Sequence, residues 1–151
     1  MRRLYLVLIA VGILLFLAVS VLLGRAFSVD GAERSAITDL VKSEARGDLA
    51  GVVAQITGCG RSAACRARVA ANVAALQRPG SVSILQLQTS NGFSLTGSTG
   101  TARVAWKTGA SLPIVQCVRV RRAGDVITQW RIELLELSAR IKSDADCPGR
   151  F

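Results

Sequence analysis

The stretch LPIVQCVRVRRAGDVITQWRIELLEL, residues 112–137, decides the architecture. On both sides of Ala123-Gly124 apolar and charged residues alternate. Val118 and Val120 share a face with Trp130 and Ile132, while Arg119 and Arg121 share the opposite one with Arg131 and Glu133. Period-two alternation marks half-buried strands, and a small-residue pair between two such runs marks a hairpin. The spacing predicts strands over 112–122 and 125–137, with one face on apolar neighbours and the other in water.

Upstream, back to Gly80, the same texture of Ser, Thr, Val, Gln and Gly predicts three further strands, 81–89, 93–96 and 101–107, with Asn91-Gly92 as a tight turn between the first two. Ahead of Gly80 the period changes. Ile37, Leu40, Val41 and Ala45 recur at helical spacing, with Glu33, Lys42 and Arg46 on the other face, Asp30 as N-cap and Gly47 as terminator. Asp48 caps a short second helix with Leu49, Val52, Val53 and Ile56 inward. A third runs from Ser62 to Arg78 on an apolar stripe of Val69, Val73 and Leu76, and Pro79-Gly80 ends it. Helices first and strands afterwards, without a βαβ rhythm, define an α+β domain: three helices on a curved antiparallel sheet of four to five strands.

The chain begins differently. Leu4 to Gly24 is 21 residues without a charge, 18 of them hydrophobic. As a helix this run is about 31 Å long, matching the roughly 30 Å hydrocarbon layer of a bilayer. Residues 1–24 therefore read as a signal-anchor and 25–151 as one domain. The competing reading is a cleavable signal peptide cut near Ala26, which leaves the domain secreted; against it, such peptides carry an apolar core of only about 7–15 residues. Arg2 and Arg3 crowd one end of the span while Arg25 is soon diluted by Asp30 and Glu33. The N-terminus is then cytoplasmic and the domain extracytoplasmic.

All four cysteines, Cys59, Cys65, Cys117 and Cys147, lie in the domain, an even number consistent with two disulfides in an oxidising compartment. Gly58 and Gly60 allow the chain to fold back at Cys59, so the preferred set is Cys59–Cys65 with Cys117–Cys147, the second tying the C-terminal tail to the sheet. Four buried thiols and a four-thiolate zinc site are the alternatives, and CGRSAAC is wider than the usual zinc-ligand spacer.

The order of these elements, with the Gly47-Asp48 pair opening the short second helix, resembles the nuclear transport factor 2-like (cystatin-like) cone fold over about residues 30–140. An anchor, such a cone, scattered cysteines, and 16 Arg against three Lys resemble small uncharacterised membrane proteins of actinobacteria. The resemblance implies fold. That superfamily includes isomerases, dehydratases, secretion-system subunits and domains of cell-wall enzymes, so an activity carried over from it is analogy alone.

The chain has no His, which removes the usual general base and the commonest metal ligand. Its one tyrosine, Tyr5, sits in the membrane segment, so the tyrosine that serves an isomerase-like oxyanion hole is missing as well. Asp39, Glu44 and Asp48 fit exposed faces and caps. No phosphate-loop, dinucleotide or nucleophile-elbow pattern occurs. No catalytic residue, metal or cofactor is expected. From residue 25 onward, 17 basic against 10 acidic residues leave a charge of +7. Arg119, Arg121, Arg122 and Arg131 on the last hairpin form the candidate surface for an anionic partner, with a second cluster at Arg61, Arg66 and Arg68. Replacing the hairpin arginines should leave melting within a few degrees. Without interleaved aromatics, nucleic acid is not an expected partner. The expected partners are the bilayer through residues 4–24 and, beyond it, an envelope protein, an anionic wall polymer or lipid head groups. The expected function is a non-catalytic, membrane-anchored binding or scaffolding module; the alternative is a small-molecule-binding protein or histidine-free cone-pocket enzyme, its pocket lined by Phe93, Trp106 and Trp130.

Overall fold

The computed structural model describes residues 2–90, 97–124, 131–142, 145–149 and 151, with side chains at 2–4 and 25–27 left aside. The architecture is α+β. A long helix α1 (Arg2–Ala45) is followed by α2 (Leu49–Gln55), a single 3-10 turn (Cys59–Arg61) and α3 (Ala63–Leu76). Four strands follow, β1 (Val82–Gln88), β2 (Ser98–Thr108), β3 (Ile114–Ala123) and β4 (Arg131–Leu137), paired antiparallel in the order β1-β2-β3-β4. The expected strand at 93–96, the Asn91-Gly92 turn and the first half of the expected strand at 125–137 lie outside the described residues.

The apolar N-terminal segment and the expected first domain helix are one helix. No break falls at residues 24–25, and Asp30 is an interior residue of α1 rather than its N-cap. Nothing between Leu4 and Ala45 forces a stop: there is no proline, and the glycines at 12, 24 and 31 each cost a helix only about 1 kcal/mol. The side chains from Tyr5 to Leu23 are exposed, and the helix is long and apolar enough there to cross a membrane. Burial begins at Val29. The helix ends at Gly47, whose φ of +76° is the left-handed conformation glycine tolerates best. Gly47 N–H donates to Glu44 O at 3.0 Å and Asp48 N–H to Ser43 O at 2.9 Å, the pair of bonds that closes a Schellman end.

The N-caps at Asp48 and Ser62 are present. Asp48 Oδ1 accepts from Gly51 N at 2.8 Å, and Ser62 Oγ from Cys65 N at 3.2 Å. The helix stripes Ile37–Leu40–Val41–Ala45, Val52–Ile56 and Val69–Val73–Leu76 meet Ala102, Val104, Trp106, Val118 and Val120 in one core. Three sequence expectations change here. Leu49 is exposed, because it occupies the first turn of α2 before the helix reaches the sheet. Glu33 and Glu44, expected on wet faces, are both fully buried against the strands. Finally, Ala123 pairs with Arg131, a register that a two-residue turn at Ala123-Gly124 does not give.

The outer sheet face is only partly wet. Val115 and Cys117 point away from the helices yet are buried, because the C-terminal tail crosses them. Ile141 N–H donates to Val115 O at 2.8 Å, Cys117 bonds to Cys147, and the ring of Phe151 lies 6.0 Å from the Arg119 guanidinium carbon. The other pair, Cys59–Cys65, has its Cα atoms 5.3 Å apart around the fold-back at Gly58.

Candidate functional site

Where α1 passes the end of β3, four groups converge. Arg122 is opposite Ile132 in the ladder and so projects toward the helices, unlike its neighbour Arg121. Its Nη2 reaches Asp30 Oδ1 at 2.6 Å and Glu33 Oε2 at 2.7 Å, and its Nε donates to the same Glu33 oxygen at 2.9 Å. Ser90, just past β1, adds its N–H to Glu33 Oε1 at 2.7 Å and its hydroxyl to Oε2 at 3.1 Å. Glu33 is 0% exposed and Arg122 only 13%, so this is a buried ion pair with its lone pairs satisfied. Burial by itself would lower the basicity of Arg122. The hydrogen bond and charge of Glu33, then those of Asp30, outweigh it and hold the guanidinium above its ordinary range.

The remaining hairpin arginines are placed differently. Arg121 forms an ion pair with Glu133 through Nη2, with Nε donating to the same oxygen at 2.7 Å. Arg119 lies 3.6 Å from Glu136 and donates to the Gly149 carbonyl in the tail. Arg131 is exposed at the start of β4, without a carboxylate partner among the described residues. The structure therefore brings Arg119, Arg121 and Arg131 to one face but sends Arg122 through to the other, where it ties α1 to the sheet. Sequence alternation already separates Arg121 from Arg122; the acidic partners, 12 to 92 residues distant in sequence, were not legible.

A second polar group lies in the core near the other end of α1. Trp106, fully buried, donates from Nε1 to Gln116 Oε1 at 2.8 Å. Gln116 Nε2 donates to Glu44 Oε1 at 3.0 Å and to the Ser138 carbonyl at 3.2 Å, and Asn72 donates to that carbonyl at 3.0 Å. Glu44 Oε2 has no hydrogen-bond partner among the described residues. Burial, opposed by the Gln116 hydrogen bond, pushes the Glu44 carboxyl up to about 7. Of the expected pocket residues, Trp106 is thus a filled core position, and Phe93 and Trp130 lie outside the described residues.

Two shallow clefts open at opposite ends of the domain. One, of about 400 Å³, is edged by Gly97, Ser98, Thr99 and the β3 residues 121–124. The other, of about 580 Å³, lies between the end of α1 and residues 77–80. Neither reaches Glu44. Among the described residues no group of three His, Cys, Asp or Glu side chains is arranged to hold a metal.

The two sheet edges differ. β4 is covered by the end of α2, where Thr57 N–H donates to Leu134 O at 2.7 Å and Ile56 bridges Leu134. β1 carries no neighbour on its outer side among the described residues. Its inner face is Val82, Ile84 and Leu87; Ser83, Gln86 and Gln88 are exposed, and Leu85, the extra residue of a bulge, is 50% exposed. Natural edges are commonly blunted with Lys, Pro or inward charges. Here the 24 residues from Pro79 to Ala102 contain no charge at all, in a chain that is 19% charged.

No family model, curated protein or solved structure matches this chain.

Proposed function

We propose that the chain is a membrane-anchored extracytoplasmic module that binds an extended segment of another envelope protein along β1. The carrying observation is the uncharged edge, open among the described residues: there β1 offers backbone donors and acceptors without the charges that usually repel an added strand. Geometry disfavours a second copy in the same membrane as the occupant. β1 runs from the α3 end of the domain toward Ser90, beside Glu33, and two copies standing on one bilayer point the same way. Antiparallel edge-to-edge pairing requires them to point in opposite directions. The helices ahead of an antiparallel meander support a nuclear transport factor 2-like cone as the fold family, used for binding rather than catalysis.

The test is photo-crosslinking of the full chain in its native membranes from Gln86 and Gln88, with Arg68 on α3 as an exposed control. Crosslinks confined to β1 that map to one extended peptide are expected. Gln86→Lys with Gln88→Lys, charging the edge at exposed positions, should reduce them at least ten-fold while melting stays within a few degrees. Crosslinking that is equal at Arg68, or indifferent to the lysines, overturns the proposal.

A further inference from the structure

Two independent rulers run along the domain. On α1, Glu44 bonds Gln116 and the Asp30/Glu33 pair bonds Arg122. The helical path from Glu44 to the midpoint of Asp30 and Glu33 is about 19 Å at 1.5 Å per residue. The strand path on β3 from Gln116 to Arg122 is about 20 Å at 3.3 Å per residue. Equal spans between the same ties mean that β3 runs nearly antiparallel to α1, straight back toward the apolar segment.

Continuing both rulers locates the end of the sheet. Asp30 and Glu33 stand six and nine residues beyond Gly24, the end of the uncharged run, or about 9–14 Å along the helix. Gly124 lies two residues past Arg122, about 7 Å further back. It therefore sits roughly 5 Å above the level of Gly24. The polar layer on each side of a bilayer is itself about 5–8 Å thick. An ordinary tilt of about 20° shortens heights along the axis by about 6% and, because the sheet packs about 10 Å to the side of α1, raises or lowers this end by about 3 Å.

We infer that the sheet end formed by Gly97–Thr99 and residues 121–124, with Arg131 beside it, rests among the phospholipid head groups of the membrane that α1 crosses. This rests on reading α1 as a retained anchor. The local chemistry fits that layer. Gly97 has φ +91°, and a side chain there would come within 2.8 Å of the Arg122 carbonyl, so β2 begins tight against the end of β3 and the cleft stays edged by small residues. Among the described residues the charges at this end nearly balance, Arg121 and Arg122 against Glu133, Glu33 and Asp30. Arg131, without a carboxylate partner among the described residues, is the hairpin cation we assign to a lipid phosphate. The clamp at Arg122 makes the placement rigid, since α1 cannot swing from the sheet without exposing a buried carboxylate.

The experiment is spin-label depth measurement on the full chain in phosphatidylethanolamine–phosphatidylglycerol vesicles, with single labels introduced by Leu14→Cys, Thr99→Cys and Leu112→Cys. Oxygen and a water-soluble nickel chelate are the collision partners. The label at 14 should be oxygen-accessible and nickel-protected, the label at 99 should read within about 10 Å of the phosphates, and the label at 112, at the far end, should be fully nickel-accessible. Equal nickel accessibility at 99 and 112 with 14 protected overturns the inference and leaves the anchor standing. Nickel access at 14 overturns the anchor reading and the inference with it. Arg131→Glu should raise nickel accessibility at 99 at least two-fold, and an unchanged value overturns the role given to Arg131.

Discussion

Glu44 and Arg122 are buried charge-bearing groups whose surroundings make opposite predictions. Glu44 takes up a proton more readily in the folded chain than in the unfolded one, where its pKa is the ordinary 4.5. Between pH 4.5 and about 7 the folded state therefore binds more protons, and stability falls as pH rises through that window. The full cost above it is about 3 kcal/mol. Glu44→Gln keeps an acceptor for Gln116 without the charge, so melting at pH 8 should rise and its slope between pH 5 and pH 7 should flatten; a slope that persists in the variant refutes the assignment. Arg122→Gln leaves the Glu33 carboxylate buried without its ion-pair partner and should cost about 3–5 kcal/mol by denaturant unfolding. Arg121→Gln, which removes a half-exposed partner of Glu133, should cost under about 1 kcal/mol. Equal losses would show that burial of the pair is not what matters. Arg122, one of the four arginines expected to form an anionic-partner surface, is instead largely buried between α1 and the sheet.

At the scale of elements, local chemistry was legible and distant partners were not. Asp48, Ser62 and Gly47 act on backbone atoms within four residues, so the end of α1 and the starts of α2 and α3 follow from spacing. The continuity of α1 was hidden because Asp30 carries a good capping side chain; Arg122, on a strand 92 residues later, takes that carboxylate instead. The tail is the other element fixed from afar. Cys117–Cys147 closes a separation of 30 residues and Cys59–Cys65 one of six. Loop-closure entropy assigns them about 3.6 and about 2.2 kcal/mol respectively. Replacing Cys117 and Cys147 by Ser should therefore lower stability more than replacing Cys59 and Cys65, and should also open Val115 to solvent. Hydrogen exchange at the Ile141 amide, which donates to Val115, is the direct readout: rapid exchange in the Cys117→Ser, Cys147→Ser variant alone is expected, and continued protection would mean that the tail is held by its other contacts.

For the whole molecule, the apolar helix and the cysteine pairs bear on the same question from different chemistry. The helix is long and apolar enough to cross a bilayer, as an anchor or as a signal sequence, and does not say which side the domain occupies. Two arginines at the N-terminal end favour a cytoplasmic N-terminus by the positive-inside rule, and four cysteines with none left free favour an oxidising side for the domain. These arguments are separable by experiment. In intact cells an impermeant phosphine reductant followed by an impermeant maleimide should add four labels to the chain, and intact mass before reduction should be about four hydrogens below that of the reduced protein. Labelling only after permeabilisation would place the domain in the cytoplasm. A native mass equal to the reduced one would remove the redox argument while leaving the charge argument in place. The position of the domain depends on neither, because α1 enters the core without a linker and the Arg122 clamp holds it there. On the reading proposed above, whichever side is correct, the same sheet end faces the membrane and the β1 edge, open among the described residues, stands along its normal, on the side a partner carried in the same bilayer would approach.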